Sequence, residues 1–156
     1  MSSNQTRPKS GLRRKLAAVA GATALLVGAG VATASTASAG PNCASGYHCV
    51  FWNGLGNGFA HAFYNSDPDF TDNTFDGTVL NINDNVRAAS NSSSGGYESH
   101  YYYDVNYGGG LVFCVNPGSA VNYDQLSSDN VRGNHVGQHD EASSLLMRPS
   151  TTVSCF

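Results

Sequence analysis

The chain has 156 residues, 12% of them charged and 10% aromatic, with 18 glycines and a formal net charge of −3. The charge is unevenly placed. Arg7, Lys9, Arg13, Arg14 and Lys15 lie in an N-terminal segment without acids, and every Asp and Glu comes after residue 40. This segment runs into an apolar stretch from Ala17 to Ala34 and then into Ala37-Ser38-Ala39, ahead of Gly40. A basic start, an apolar middle and a small-x-small site form a secretory signal peptide over residues 1–39. The apolar stretch is short and rich in Ala and Gly for a membrane span. Its removal would leave 117 residues, 40–156, in which Arg87, Arg132 and Arg148 face eleven acids, a net charge of −8. That length fits one domain. The acidic balance excludes nucleic acid and anionic membrane as expected partners. The expected product is a secreted, extracellular monomer.

All four cysteines, Cys43, Cys49, Cys114 and Cys155, fall in the exported part. An even count in a small secreted chain points to disulfides, and three pairings are possible. Cys43 and Cys49 are close enough for a small local loop. Cys114 with Cys155 would then fasten the end of the chain to an interior strand. Zinc is the weaker alternative, since Cys43 and Cys49 do not stand at a finger spacing.

Taken in order, residues 40–156 show no window with a helical apolar face. Gly, Asn, Ser and Asp are dense, and aromatics come in short runs, as in short strands joined by turns. Cys49 to Trp52 reads as a strand, Asn53 to Gly58 as a turn, and Phe59 to Tyr64 as a strand. A polar loop covers Asn65 to Asp76, a short apolar segment Thr78 to Ile82, and a strand Val86 to Ala89. Asn91 to Gly96 (NSSSGG) reads as a linker between halves of roughly 43–90 and 97–156. Ser99 to Tyr103 and Leu111 to Val115 read as strands around a turn at Asp104 to Gly110. A loop extends to Gln138, and Ala142 to Met147 is the last strand. Tyr101 and Tyr103 share one strand face and Tyr102 takes the other.

The two hairpins repeat each other. Phe51 to Phe63 (FWNGLGNGFAHAF) aligns with Tyr102 to Cys114 (YYDVNYGGGLVFC), so that Phe51 falls on Tyr102, Trp52 on Tyr103 and Gly58 on Gly109. Gly58 and Gly109 give positive φ or room for an aromatic ring. Two halves of about four strands predict an all-β domain of two Greek keys packed as a sandwich.

Catalytic patterns are missing: there is no G-x-S-x-G, no H-E-x-x-H and no P-loop. His135 and His139 stand at helical metal spacing, but Gly133 and Gly137 argue against a helix there. Glu98 and Glu141 read as surface acids rather than a glycosidase pair. A tyrosine strip over 101–103 reads as core before it reads as a sugar platform. No enzyme is expected.

The aromatic hairpins with their glycines resemble the βγ-crystallin-like superfamily. Asn83-Asp84-Asn85-Val86-Arg87-Ala88 and His139-Asp140-Glu141-Ala142-Ser143-Ser144 fall where that motif carries its Asn/Asp-Asn/Asp-x-x-Ser/Thr-Ser segment. The addition of Cys43, Gly46 and Cys49 (CASGYHC) is similar to the streptomycete metalloproteinase inhibitors, a family with one crystallin-type domain. The resemblance implies inhibition of extracellular, thermolysin-like metalloproteases by a rigid substrate-like loop. It places the reactive bond at Cys114-Val115 within FCVNPG. The family closes that loop with a cysteine a few residues on, and here the next is Cys155. A core-fastening disulfide at Cys114 therefore stands beside the reactive-loop reading. The superfamily also implies calcium, with Asn83, Asp84, Asp140 and Ser143 as candidate ligands. Arg87 and His139 occupy motif positions where a ligand belongs, so no cofactor is required and calcium is expected to bind weakly. The alternative function is a non-inhibitory, structural or calcium-binding crystallin-like module.

Overall fold

The computed structural model describes residues 39–129, 131 and 137–156. The expected signal peptide, apart from Ala39, lies outside the described residues, as do Arg132 and His135. Among the described residues, seven strands form two antiparallel sheets. They are β1 (His48–Phe51), β2 (Ala60–Phe63), β3 (Ala88–Asn91), β4 (Tyr97–Asp104), β5 (Gly108–Val115), β6 (Ala120–Val121) and β7 (Ser144–Pro149). One sheet has the order β2-β1-β3-β6 and the other β5-β4-β7. The only helices among the described residues are three 3₁₀ turns, at Phe70–Asp72, Val105–Tyr107 and Tyr123–Gln125. The all-β expectation is met.

The hydrophobic core is shared by the two sheets. Val50, Phe63, Ala89 and Val121 come from the first, and Tyr101, Tyr103, Phe113, Val115 and Leu145 from the second. Loop residues Phe70, Phe75, Ile82 and Val86 complete it, each with no exposed surface. Two ring pairs organise the packing: Tyr101 with Phe113 at 4.5 Å and Phe63 with Phe70 at 5.1 Å between centroids. Such pairs add about 0.5–1.5 kcal/mol each beyond the area they bury. Tyr101 and Tyr103 face this core, while Tyr102 takes the other face, half-buried with its ring edge toward Tyr107.

Strand β1 is buried on both faces. Val50 points into the main core, while Cys49 and Phe51 join Ala88 in a second cluster. That cluster is covered by Cys43, Tyr47, Leu55 and Ala60, and the Cys43–Cys49 disulfide ties the cover to the strand. The N-terminal cysteine loop is therefore a lid over the outer face of the first sheet.

The repeat between the hairpins is structural. Gly58 and Gly109 have φ of +75° and +72°. A Cβ on Gly58 would lie 2.9 Å from Asn53 Cβ and 3.7 Å from the Trp52 ring. A Cβ on Gly109 would lie 2.8 Å from Tyr103 Cβ and 2.6 Å from the Asp104 carboxylate. Each glycine thus folds back over the equivalent pair of residues, at the one offset read from the sequence.

Two expectations change. Asn91 to Gly96 is not a free linker, because Asn91, Ser92 and Ser93 are buried at the end of β3. A short polar run was read as solvated, but its hydrogen bonds are met inside the protein. The loop from Val115 to Gln138 also contains β6, which pairs with β3 of the first half. The second half therefore lends a strand to the first half's sheet, while β4, β5 and β7 form the other.

Candidate functional site

The expected reactive bond lies at the buried end of β5, just ahead of a half-buried turn. Cys114 pairs with His100 and Val115 with Ser99 across the β4–β5 ladder. Both Cys114 and Val115 are fully buried. The Cys114 carbonyl accepts a hydrogen bond from the Phe156 amide at 3.0 Å, and the Val115 carbonyl accepts one from Asn91 Nδ2 at 3.0 Å. The expected display of this dipeptide on a loop is therefore not the observed arrangement. The strand continues through Val115, and alternation sends the Val115 side chain into the core.

The half-buried segment is Asn116-Pro117-Gly118-Ser119. The Ser119 amide donates to the Asn116 carbonyl at 3.1 Å, and Gly118 has φ of +76°. Proline followed by a positive-φ glycine is the signature of a type II turn. The turn is held from two sides. On one side Gly118 N donates to the Asn91 carbonyl at 2.8 Å, and Asn91 N donates to the Ser119 carbonyl at 2.9 Å. On the other, Asn116 N donates to the Phe156 carbonyl at 2.8 Å and Asn116 Nδ2 to the Cys155 carbonyl at 3.0 Å. The Cys114–Cys155 disulfide closes this second side. It does at long range what a local ring would do.

Asn91 is a residue that sequence reading missed. Beyond its backbone bonds, its Nδ2 donates to the Tyr97 and Val115 carbonyls, and its Oδ1 accepts from Ser93 N. It joins β3, β4, β5 and the turn. Nothing in its sequence neighbourhood marks it, since it opens a Ser/Gly run.

A second missed cluster anchors the segment that carries Cys155. Glu98 and His100 are both buried, with His100 Nε2 and Glu98 Oε2 at 2.7 Å. Glu98 also accepts from Thr151 N at 3.0 Å and Thr151 Oγ1 at 2.9 Å. Burial pushes the Glu98 carboxyl up, but the bonds from His100 and Thr151 prevail and hold it below its ordinary range. The acid read as a surface group thus tethers residue 151 to β4. Two residues apart on one strand face, Glu98 and His100 were adjacent by strand period, and that spacing was the available clue.

The candidate calcium ligands divide. Asp84 and Asp140 both adopt positive φ, +55° and +60°. Their amides are bonded reciprocally, Asp84 N to the Ala142 carbonyl and Asp140 N to the Val86 carbonyl. On one side Ser143 Oγ donates to Asp84 Oδ1 at 3.2 Å, and Asn83 Nδ2 donates to Asp84 Oδ2 at 2.8 Å. Asn83 Oδ1 is a buried acceptor without a donor. These oxygens suit a hard cation. On the other side Arg87 Nε lies 3.0 Å from both Asp140 oxygens, and His139 Nδ1 lies 2.8 Å from Asp140 Oδ2. The Arg87 guanidinium also lies 5.5 Å from the Trp52 ring centroid. A guanidinium already neutralises this carboxylate, so Asp140 does not fit a shared calcium site with the other three.

The disulfides are Cys43–Cys49 and Cys114–Cys155, the pairing that the spacing favoured. No helix among the described residues is long and apolar enough to cross a membrane. No curated protein and no solved structure matches the chain. Residues 36–114 match the family model described as peptidase inhibitor family I36, a span that starts before the N-terminal cysteine loop and ends on Cys114. That span covers just over half of the chain, and the family consists of inhibitors rather than enzymes. The chain belongs to peptidase inhibitor family I36, the streptomycete metalloproteinase inhibitor type.

Proposed function

We propose that the chain is a secreted inhibitor of an extracellular, thermolysin-like metalloprotease. We further propose that it meets the enzyme with the Asn116-Pro117-Gly118-Ser119 turn. Cys114 and Val115 are then the buried root of the contact, not its face. The single observation that carries this reading, within an inhibitor family, is the double bracing of that turn by Asn91 and by residues 155–156. A segment already fixed in its bound form loses little entropy on docking, and it holds its peptide bonds in place when an enzyme engages it. Both the even cysteine usage and the N-terminal segment support export.

The test is titration of residues 40–156 against a thermolysin-type protease, with a trypsin-type protease as control. Inhibition of the first alone is expected. Gly118→Val, which forces a β-branched residue into positive φ, should weaken inhibition about tenfold, roughly 1.4 kcal/mol of binding free energy. Absence of inhibition at micromolar concentration would overturn the reading.

A second, smaller reading concerns calcium. We infer that any calcium is held by Asn83, Asp84 and Ser143, because Asn83 Oδ1 is an unpartnered acceptor on a residue whose amide nitrogen, with the Ser143 hydroxyl, meets the Asp84 carboxylate. Asp140 takes no part in it. Calorimetry with millimolar calcium, repeated on Asp84→Asn, measures it.

A further inference from the structure

A cavity of about 400 Å³ opens beside His48 of β1, Tyr97 of β4 and Met147 of β7. That is within the range of roughly 300–1,000 Å³ typical of small-molecule sites. Its walls include Tyr64 and Tyr97, which are 67% and 45% exposed. Large aromatic rings left open to solvent on a small acidic protein ask for a partner. The Tyr64 ring is fixed by an edge contact with Tyr47, 5.5 Å between centroids. Gly95 leaves room for the Tyr97 ring, since a Cβ there would lie 3.0 Å from its Cδ2.

The floor is polar and uncharged. His48 is buried, and its Nδ1 is paired with Ser99 Oγ at 2.5 Å, which leaves Nε2 as the ring's free nitrogen. Burial lowers its pKa to about 4, so the ring is neutral at physiological pH. Asn65 and Ser94 add an amide and a hydroxyl at the rim. Asp, Glu, Lys and Arg are all absent from the lining. A charged ligand would find no counter-ion here and would lose its hydration. A flat apolar ligand would leave the His48, Asn65 and Ser94 groups unpaired. The ligand that suits both features has an apolar face for a tyrosine ring and several neutral hydroxyls or amides at its edge.

We propose that this cavity binds one ring of a neutral saccharide. The sugar's C–H face lies on Tyr97 or Tyr64, and its hydroxyls bond His48 Nε2, Asn65 and Ser94. This is independent of protease inhibition and places the sugar-stacking tyrosines away from the 101–103 strip, two of which are core residues.

The experiment is an amide NMR titration of residues 40–156 with chitotriose, cellotriose and maltotriose, each to about 10 mM, the range that detects a millimolar dissociation constant. Saturable shifts at Tyr64, Tyr97, His48 and Ser94 are expected from at least one of the three. At least one of Tyr97→Ala and Tyr64→Ala should weaken that binding tenfold or more. Both side chains are exposed, and Ala retains the Tyr97 backbone bonds to Ser93 and Asn91, so the fold and protease inhibition should be unchanged. Unsaturable or absent shifts with all three sugars would overturn the proposal, as would undiminished binding by both variants. Shifts at these residues caused by a metalloprotease and by none of the sugars would also overturn it, and would reassign the cavity as a protein contact.

Discussion

Two buried titratable residues give the protein a measurable acid response. His48 is held neutral in the fold, its pKa lowered from 6.5 to about 4. Between those values the unfolded chain takes up a proton that the folded one refuses. Stability contributed by the neutral ring is therefore lost as pH falls from 6.5 toward 4. Glu98 acts in the same direction, because its depressed carboxyl stabilises the fold above its unfolded pKa and ceases to do so as pH drops through the folded one. Urea midpoints should fall steadily from pH 7 to pH 4. His48→Gln should flatten the slope between pH 6.5 and 4. A His48→Gln protein with the wild-type slope would place the effect elsewhere. At this scale the sequence was a poor guide. It gave no reason to single out His48 and read Glu98 as a surface acid, since neither burial nor a partner 53 positions away at Thr151 leaves a local trace.

At the scale of elements, the segment ending in Phe156 acts as a clasp on the edge of β5. Its parts are the Cys114–Cys155 bond, the Thr151–Glu98 bonds and the paired bonds of Phe156 with Cys114 and Asn116. The bridge closes a sequence separation of 41, which by chain entropy contributes about 4 kcal/mol, against about 2 kcal/mol for the separation of 6 at Cys43–Cys49. Replacing Cys114 and Cys155 together by Ala should lower the unfolding free energy by more than the same change at Cys43 and Cys49. It should also weaken protease inhibition, because Asn116 loses one of its two braces. Denaturant curves and inhibition constants on the two double variants check both statements. The strands themselves were legible: β1, β2, β4 and β5 lie within two or three residues of their expected bounds. The two-residue β6 was not, because its pairing with Ala89 and Ser90 across about thirty positions is decided by the core and not by local propensity.

For the whole molecule, the core that joins the two sheets sets the stability. Phe75 comes from a loop and is fully buried beside strand residues of both sheets. Phe75→Ala should cost about 3–5 kcal/mol by lost burial and the cavity left behind. It should lower a single cooperative transition of the whole domain rather than one sheet's share, because strand β6 of the second half is hydrogen-bonded into the first sheet. Thermal unfolding followed by tyrosine absorbance and by far-UV dichroism tests this, and two separated midpoints would contradict it.

The sequence by itself determined what short-range chemistry decides. The lack of any helical apolar face and the short aromatic runs between turn residues pointed to the all-β class, and strand period assigned Tyr101 and Tyr103 to one face. The two glycines, Gly58 and Gly109, needed positive φ wherever the hairpins went. Cysteine count pointed to disulfides with three pairings open, the structure chose among them, and the hairpin repeat with the cysteine loop pointed to the inhibitor family. The tertiary structure alone decided which groups are buried and which are offered. Cys114-Val115 is buried beneath a turn because β4 and residues 155–156 cover the end of β5. Asn83, Asp84 and Ser143 were brought together while Asp140 was claimed by Arg87, because reciprocal backbone bonds place residues from the two halves side by side. Desolvation and long-range pairing depend on what the rest of the chain packs around a residue, and no local pattern carries that.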